Sequence, residues 1–258
     1  MTTDVSTFIG AYPFRSLDTP TPEWLLGQMD RLGIDDAWVG HLPSAFYRDP
    51  APGTAVLLRE LAPHRDRLHP VPTVNPDLPR WEDDLNLASV IGAPAVRVYP
   101  TVQGVEPAGG TMRVLVAAAA LVRMPLLFTV RFEDGRQRHP RDTAPEVPPS
   151  AIRTLIRLDP DARFLITHAD RDFVEEVHFG LTAAEADRLL WDVTWIWGPP
   201  EDHLRLLLQT VGPQRFALGT GMPLRIPDAA LAKLDLLDVS DAERADLTRQ
   251  NLARWRSA

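Results

Sequence analysis

The feature that most constrains the fold is an alternation of short β-rich apolar runs with helical patterns, which recurs about every 30 residues along the 258-residue chain. This rhythm is typical of βαβ units, and eight such units can close a parallel barrel. The sequence therefore predicts a single-domain (β/α)8 TIM barrel of the α/β class over residues 1–258. We expect its strands near residues 7–9, 36–39, 68–71, 95–98, 126–130, 164–167, 190–194 and 216–218.

The helical patterns fall between the predicted strands. A terminal helix is expected to begin after Ser240, because Glu243 three residues later completes a capping box. The other helices are predicted near residues 22–32, 55–62, 81–91, 111–122, 149–157, 170–177, 202–210 and 229–236.

Composition excludes several classes of protein. Hydrophobic residues make up 45% of the chain, which is enough for a core, yet no run of about 18 apolar residues predicts a membrane span. The first residues do not resemble a secretory signal, so a cytoplasmic location is expected. The formal net charge of −8 disfavours nucleic acid as a partner. A small-molecule ligand is expected instead, and a homo-oligomer remains open.

The reactive side chains available for covalent chemistry are few. The chain has no cysteine, which excludes thiolate nucleophiles and thiolate metal sites. Lys233 is the only lysine, and its helix is predicted to expose it. A Schiff-base mechanism is therefore not expected.

Three segments carry a resemblance to a known family. They are Phe-Ile-Gly-Ala-Tyr-Pro-Phe-Arg at residues 8–15, Leu-Gly-Thr-Gly-Met-Pro-Leu at 218–224 and Asn-Leu-Ala-Arg-Trp at 251–255. Through them the chain resembles the amidohydrolase-related TIM barrels of the amidohydrolase 2 type. That family usually carries Asp-x-His-x-His at its first strand and Gly-[Ser/Thr]-Asp-x-Pro at its last, and these motifs bind a catalytic divalent metal.

The resemblance also implies that the usual metal ligands are missing. The first motif corresponds to residues 10–14, which contain no histidine, and Gly221 stands at the acidic position of the last motif. Thr129 lies where a fifth-strand histidine is common. We therefore expect a divergent branch of the family with no metal cofactor, although His168, His139 and Asp134 leave an atypical divalent site open.

Two further segments resemble an uncharacterised branch of the same superfamily. They are Glu-Asp-Gly-Arg-Gln-Arg-His-Pro at residues 133–140 and Arg-Val-Tyr-Pro at 97–100. The resemblance implies a polar barrel mouth in which arginines, aromatic residues and carboxylates replace the metal ligands. Because guanidinium groups bind carboxylate or phosphate through paired hydrogen bonds, we expect an anionic substrate.

Candidate site residues lie in the loops that follow the strands, where TIM barrels carry their active sites. His168 is the predicted acid/base group, and a carboxylate, Asp192 first or Asp134 second, is expected to orient its ring and raise its pKa. The predicted catalytic residues are His168, Asp192, Asp134 and Tyr12. The predicted substrate-binding residues are Arg15, Arg97, Tyr99, Arg131, Arg136, His139 and Asn75.

The expected function is acid/base chemistry on a small anionic or carbonyl-containing molecule, of lyase, decarboxylase, cyclase, isomerase or hydrolase type. A metal-dependent hydrolase and an inactive barrel used for ligand binding or as a partner subunit are the alternatives. A carboxylate paired with His168 under an open pocket would favour the enzyme, and a mouth filled by Trp197, Phe14 and Phe132 would favour the inactive barrel. The arginines have an alternative role too, because Glu133, Asp134 or Asp192 can neutralise Arg97 and Arg131 in a buried ion-pair network.

Overall fold

Eight parallel strands form the centre of the computed structural model, which describes residues 2–17, 20–237 and 239–257. Each lies where the sequence predicted a strand, except that the first begins at Thr3 rather than at residue 7. The strands are β1 (Thr3–Ile9), β2 (Asp36–His41), β3 (Leu68–Pro70), β4 (Val96–Val98), β5 (Leu126–Thr129), β6 (Phe164–Thr167), β7 (Leu189–Asp192) and β8 (Phe216–Ala217).

Hydrogen bonds close these strands into a barrel. One sheet has the order β1-β2-β3 and the other the order β4-β5-β6-β7-β8. A parallel bridge from Thr73 to Arg97 joins the two sheets after β3. On the other side, the Val5 N–H donates to the Leu218 carbonyl at 2.9 Å. The prediction of a TIM barrel is confirmed.

Helices follow the strands and pack around the barrel. The terminal segment has the predicted capping box between Ser240 and Glu243, and a π-helical turn at Asp246–Gln250 interrupts it. The second helix begins at Ala51 rather than at residue 55, and the short seventh helix was not predicted. The helices are α1 (Pro22–Leu32), α2 (Ala51–Leu61), α3 (Trp81–Val90), α4 (Gly110–Leu121), α5 (Pro149–Ile156), α6 (Arg171–His178), α7 (Ala183–Ala186), α8 (His203–Thr210), α9 (Pro227–Leu236), α10 (Asp241–Ala245) and α11 (Asn251–Ser257).

The barrel interior is filled in layers. One buried cluster takes a residue from each strand or its edge, as period-2 alternation requires: Val5, Trp38, Val71, Ala95, Leu127, Leu165, Leu190 and Ala217. Leu252 and Trp255 join this cluster, and the Trp255 indole N–H donates to the Arg188 carbonyl just before β7. The amino-terminal end of the barrel is therefore closed. None of the described helices is both long and apolar enough to cross a membrane.

A bulge in β1 sets up the opposite end of the barrel. The pairing of β1 with β2 shifts register between Asp4 and Thr7. As a result of the bulge, Ser6 and Phe8 face the interior. Ser6 contacts His168, and Phe8 contacts Arg97. A polar layer thus lies above the apolar one, towards the carboxyl ends of the strands.

Candidate functional site

His168 lies at the end of β6 and is fully buried. Its backbone is in the left-handed region with φ of 61°, an uncommon conformation for a residue with a side chain. Its Nδ1 lies 2.9 Å from the Arg131 carbonyl, which can only accept, so Nδ1 carries the proton. Nε2 then accepts from the Ser6 hydroxyl at 3.2 Å. Burial first, and then the nearby charge of Arg97, lower the pKa of His168 to about 3.

Two predictions about His168 are wrong. Among the described residues no carboxylate binds its ring, and Asp192 Oδ1 instead accepts the His168 backbone N–H at 2.9 Å. Asp134, the second choice, is bound to Arg136. The imidazole therefore loses the charge partner that was expected to raise its pKa, and the pKa shifts downward. A ring that stays neutral at working pH is unsuited to be the principal general acid.

Asp192 is the buried carboxylate at the end of β7. The Thr194 hydroxyl donates to its Oδ2 at 2.6 Å, and burial raises its pKa to about 6 against the effect of these hydrogen bonds. A Cβ at Gly219 would lie 2.7 Å from Oδ2, so the carboxylate needs a glycine on the neighbouring strand end. Asp192 is thus held firmly and titrates near neutral pH.

Asp4 is a second buried carboxylate, and sequence reasoning missed it. Its Oδ1 accepts the backbone N–H groups of Ser6 at 3.0 Å and Thr220 at 3.1 Å, and its Oδ2 accepts the Thr220 hydroxyl at 2.5 Å. These bonds tie β1 to the segment after β8. Burial raises the pKa of Asp4 to about 7, and the charge of Asp192 contributes in the same direction.

Arg97 is fully buried at the barrel centre. Its Cζ lies 4.3 Å from the centre of the Phe8 ring, in a cation–π contact. None of its three guanidinium nitrogens has a hydrogen-bond partner among the described residues, and no ion-pair partner for it is found there. The predicted neutralisation of Arg97 by Glu133, Asp134 or Asp192 is therefore not present.

Tyr99 lies next to Arg97 and is also buried with its hydroxyl unpaired within the described part of the chain. Burial raises the pKa of the Tyr99 phenol, while the neighbouring guanidinium acts in the opposite direction. The two groups are close together, although their atoms do not meet in a hydrogen bond of normal geometry.

The side chains around His168 do not fit a divalent metal. Ser6 binds the free nitrogen of the imidazole, and the cationic Arg97 lies beside it. In the described ranges no three His, Asp or Glu side chains come together in a metal-binding arrangement. His139 and Asp134, the other ligands of the atypical site left open by the sequence, do not join His168: His139 stacks on Phe14 and Asp134 binds Arg136.

An aromatic cluster covers the barrel centre. Phe132 lies with its ring centre 5.3 Å from Tyr99, 6.2 Å from Phe8 and 6.1 Å from Tyr12. Phe46 packs against the same ring. The Tyr12 hydroxyl is buried without a hydrogen-bond partner in the described structure, and burial raises its pKa. Tyr12 therefore forms part of the cover, and it also lines a cleft of about 420 Å³ together with Arg15 and His139.

A cleft of about 550 Å³ lies beside this cover, between the loops that follow β7 and β8. Thr194 and Thr220 line it, and the carboxylates that their hydroxyls bind are buried behind them. Trp197 and Ile226 add apolar surface at its rim, with 48% and 73% of their surface exposed. Trp197 therefore belongs to an open cleft and does not fill the mouth, as one alternative required.

Arg225 is an arginine of the site that sequence reasoning missed. Its Cζ lies 3.6 Å from the centre of the Trp195 ring, and both residues line the cleft. Its Nε and Nη2 have no hydrogen-bond partner in the described structure, and burial lowers its pKa. Arg225 is thus a fixed guanidinium with unused donors next to a cleft.

Lys233 is not exposed as predicted. Its Nζ donates to the carbonyls of Val193 at 2.5 Å, Thr194 at 3.2 Å and Ile196 at 2.9 Å. Burial lowers its pKa to about 8. The only lysine of the chain therefore stabilises the turn after β7, which forms one wall of the cleft, and all three of its N–H donors are in use.

The other predicted arginines are engaged in ion pairs, and Arg136 lines the same cleft as Arg15 and Arg225, whereas Arg131 does not. Arg131 pairs with Asp170 at 2.6 Å and with Glu146 at 2.9 Å, rather than with the carboxylates expected for it. Arg136 is 77% exposed and binds Asp134 through two side-chain hydrogen bonds, which hold the pKa of that carboxyl below its usual range. In each of these ion pairs the carboxylates balance the charge of the arginine.

Three further predicted residues have local roles. Arg15 lines the cleft, donates to the Leu224 carbonyl at 2.7 Å and lies 3.2 Å from Glu133. His139 is exposed and stacks on Phe14. Asn75 donates to the Arg48 carbonyl and accepts from the Asp77 N–H, which fixes the loop after β3. Of the three, only Arg15 lines the cleft between the loops that follow β7 and β8.

Comparison with known proteins locates the fold. No family model and no curated protein matches the chain. The structure is similar to that of a 2,6-dihydroxybenzoate decarboxylase in complex with 2,6-dihydroxybenzoate, with a TM-score of 0.76 and 14% identity over 100% of both chains. The structure is also similar to that of a dihydroxybenzoic acid decarboxylase from Polaromonas sp. JS666 with bound manganese and the inhibitor 2-nitroresorcinol. The TM-score is 0.73 and the sequence identity 11%, over 100% of this chain and 97% of that one.

An uncharacterised TIM-barrel protein from Bordetella bronchiseptica gives a TM-score of 0.70 and 14% identity, over 100% of this chain and 99% of that one. At such identities the likeness establishes a shared fold, and a fold hosts many chemistries. What this chain does has to be argued from its own side chains.

Proposed function

We propose that this chain is an enzyme that acts on a small anionic organic molecule in the cleft beside β7 and β8, by proton transfer and without a divalent metal. The observation that carries the proposal is Arg225, which lines a cleft of about 550 Å³ and whose Nε and Nη2 are buried without a hydrogen-bond partner in the described structure. A cleft of this size suits a small organic molecule. The decarboxylases with the same fold act on small aromatic acids, which supports this class of substrate.

Recognition of the substrate follows from the cleft wall. A carboxylate can accept paired hydrogen bonds from Arg225, whose planar group is already fixed against Trp195. The exposed surfaces of Trp197 and Ile226 can contact an apolar or aromatic body. We therefore infer a substrate with one acidic group and a compact apolar part.

Proton transfer is assigned to Thr194 and Asp192. Thr194 lines the cleft, and its hydroxyl donates to Asp192 at 2.6 Å. When a substrate proton moves to the threonine oxygen, the hydroxyl proton can move to the Asp192 carboxylate, so the substrate loses one proton and Asp192 gains one. The reverse transfer supplies a proton to substrate. Because the pKa of Asp192 is raised to about 6, both directions are accessible near neutral pH.

His168 has a positioning role in this scheme. Its backbone N–H holds Asp192 Oδ1, and its neutral ring is fixed by Arg131 and Ser6. Proton transfer of this kind serves a lyase, a decarboxylase or an isomerase. These are the reaction classes that we propose, with hydrolysis as the further member of the group.

The test begins with binding. Benzoate, 2-hydroxybenzoate and succinate are titrated into the wild type and into Arg225→Met. The variant should bind the preferred acid at least tenfold more weakly, because a charge-assisted contact contributes about 1.5–3 kcal/mol. Arg59→Met is the matched control, since that arginine is exposed beside Glu60 and does not line the cleft, and the affinity of this variant should stay within about twofold of the wild type. Equal affinity in the wild type and Arg225→Met would contradict the proposed binding mode.

Turnover is tested next, by following the bound acids by NMR. Asp192→Asn should reduce turnover by about 10² to 10⁴ and remove the limb of the pH profile near pH 6, while binding is retained. A variant that keeps the wild-type pH profile would contradict the role of Asp192.

A second candidate function is a ligand-binding barrel without turnover. The aromatic cover over the barrel centre favours it, because His168 and Arg97 are sealed beneath Phe132 and its neighbours. In that case the acids bind through Arg225 and are recovered unchanged, and Asp192→Asn alters neither binding nor chemistry. The two measurements above separate the candidates.

A further inference from the structure

Arg97 has a surplus of hydrogen-bond donors that are shielded from bulk solvent. It has no exposed surface, and its Nε, Nη1 and Nη2 are all buried and unpaired among the residues described. Buried polar groups in native proteins are almost always paired, and an arginine stays protonated inside a protein. Water can occupy such donors, but water does not balance the charge.

The groups around Arg97 extend this unsatisfied region. The buried Tyr99 hydroxyl lies beside it and has no hydrogen bond of normal geometry in the described structure. A Cβ at Gly40 would lie 3.6 Å from the Arg97 Cζ, so a bare backbone borders the guanidinium there. Two further groups near Arg97 are neutral: the Phe8 ring and the uncharged imidazole of His168. In the described structure, hydrogen-bond donors and one positive charge therefore lie together, and no negatively charged side chain is in contact with them.

We propose that Arg97 and Tyr99 form a buried binding site for one small monovalent anion at the centre of the barrel. The guanidinium supplies the charge and up to two parallel hydrogen bonds, and the phenol supplies a further donor. Phe8 and Phe132 close the site with apolar faces, which selects for an ion of few atoms, such as a halide, nitrate or formate. This site is separate from the cleft that Arg225 lines.

Bromide is the direct probe. Crystals of the full chain grown in sodium bromide should show an anomalous peak within about 4 Å of the Arg97 Cζ. Water alone at this position, without an anomalous signal, would overturn the proposal. Bromide at exposed arginines only would be an adventitious ion only and would overturn it as well.

Thermal melts supply the second measurement. Chloride replaces gluconate, an anion too large for the site, at constant ionic strength. Each tenfold rise in chloride above its Kd should raise the Tm of the wild type by about 3–5 °C, because only the folded state binds the ion. Arg136→Met should respond like the wild type, since its side chain is at the surface. A wild-type Tm that does not change with chloride would contradict the site.

Arg97→Met separates an anion site from a purely structural arginine. Without the buried charge, the Tm should no longer depend on chloride, and in gluconate it should equal or exceed that of the wild type. A purely structural Arg97 predicts a lower Tm in both salts. If Arg97→Met does not fold, Arg97→Lys retains the charge and should keep a chloride response, and its absence would count against the site.

Competition identifies the source of the anion. If formate, nitrate and halides displace bromide from Arg97 and benzoate does not, the site holds a small free ion, as proposed. Displacement by benzoate would show that the site admits a larger carboxylate and would overturn the closed small-ion site. Failure at Arg97 leaves the Arg225 titrations unaffected, so the two proposals can fail independently.

Discussion

Replacement of Asp4 by asparagine is expected to stabilise the fold at pH 8. Asp4 is fully buried, and its carboxylate accepts hydrogen bonds from the Ser6 and Thr220 backbone N–H groups and from the Thr220 hydroxyl. An asparagine has nearly the same shape, its oxygen can accept both backbone N–H groups, and its amide can donate to the hydroxyl. The substitution therefore removes the charge and keeps the contacts.

The magnitude follows from the pKa of Asp4, which is raised from 3.8 to about 7. Below pH 3.8 the carboxyl is protonated in both states. Between the two values the unfolded chain ionises while the folded chain keeps its proton, so stability falls as the pH rises. Above pH 7 both states are ionised. Each pH unit within this window costs about 1.4 kcal/mol, so the wild type should lose about 3 kcal/mol between pH 5 and pH 8 through this group.

Urea unfolding at pH 5, 6, 7 and 8 and constant ionic strength measures this effect. The stability of Asp4→Asn relative to the wild type should rise by about 3 kcal/mol across the series. Asp228→Asn is the control, because Asp228 is exposed and its bond to Arg31 lowers its pKa, which places its titration below this range. Parallel curves for the wild type and Asp4→Asn would refute the assignment of a retained proton to Asp4.

Two further predictions concern the barrel centre. The protein should purify without a stoichiometric divalent ion and resist chelators, because Ser6 and Arg97 occupy the surroundings of His168, and elemental analysis finding about one zinc or manganese per chain would show otherwise. The His168 ring should stay neutral with its proton on Nδ1 from pH 8 to pH 5, since burial lowers its pKa to about 3, and a ¹⁵N NMR titration with a midpoint near pH 6.5 would contradict the tautomer and the burial.

The fold could be predicted because the apolar runs of the strands are short, regular and separated by helical patterns. β1 was the exception, and its composition explains why. Its buried residues include Asp4, Ser6 and Thr7, so the strand does not appear in the sequence as an apolar run. Polar residues can be buried there because each finds a partner: Thr220 after the neighbouring β8 for Asp4, His168 at the end of β6 for Ser6, and the Trp38 carbonyl of the neighbouring β2 for Thr7.

The site could be predicted only to the level of which strand ends meet. Spacing places Asp192 next to His168, and this is confirmed, but it does not show which atoms meet. The left-handed backbone at His168 turns its N–H, not its ring, towards the carboxylate. Likewise, whether an arginine forms an ion pair depends on which carboxylates lie within reach of its side chain, and the sequence does not show this. Arg131 has two such partners and Arg97 has none in the described structure.

Residues 4–8 correspond to the first motif of the family that the chain resembles better than residues 10–14 do. Asp4-Val5-Ser6-Thr7-Phe8 has the spacing of Asp-x-His-x-His, and it lies on β1, whereas the segment first compared with it, residues 10–14, follows that strand. Ser6 and Phe8 then stand at the two histidine positions, and they contact His168 and Arg97. A hydroxyl and an aromatic ring are poor ligands for a divalent metal, but a ring face stabilises a guanidinium. The exchanges at Ser6 and Phe8 therefore make the barrel centre compatible with the fixed cation of Arg97, and that cation attracts anions where the related motif would bind a metal.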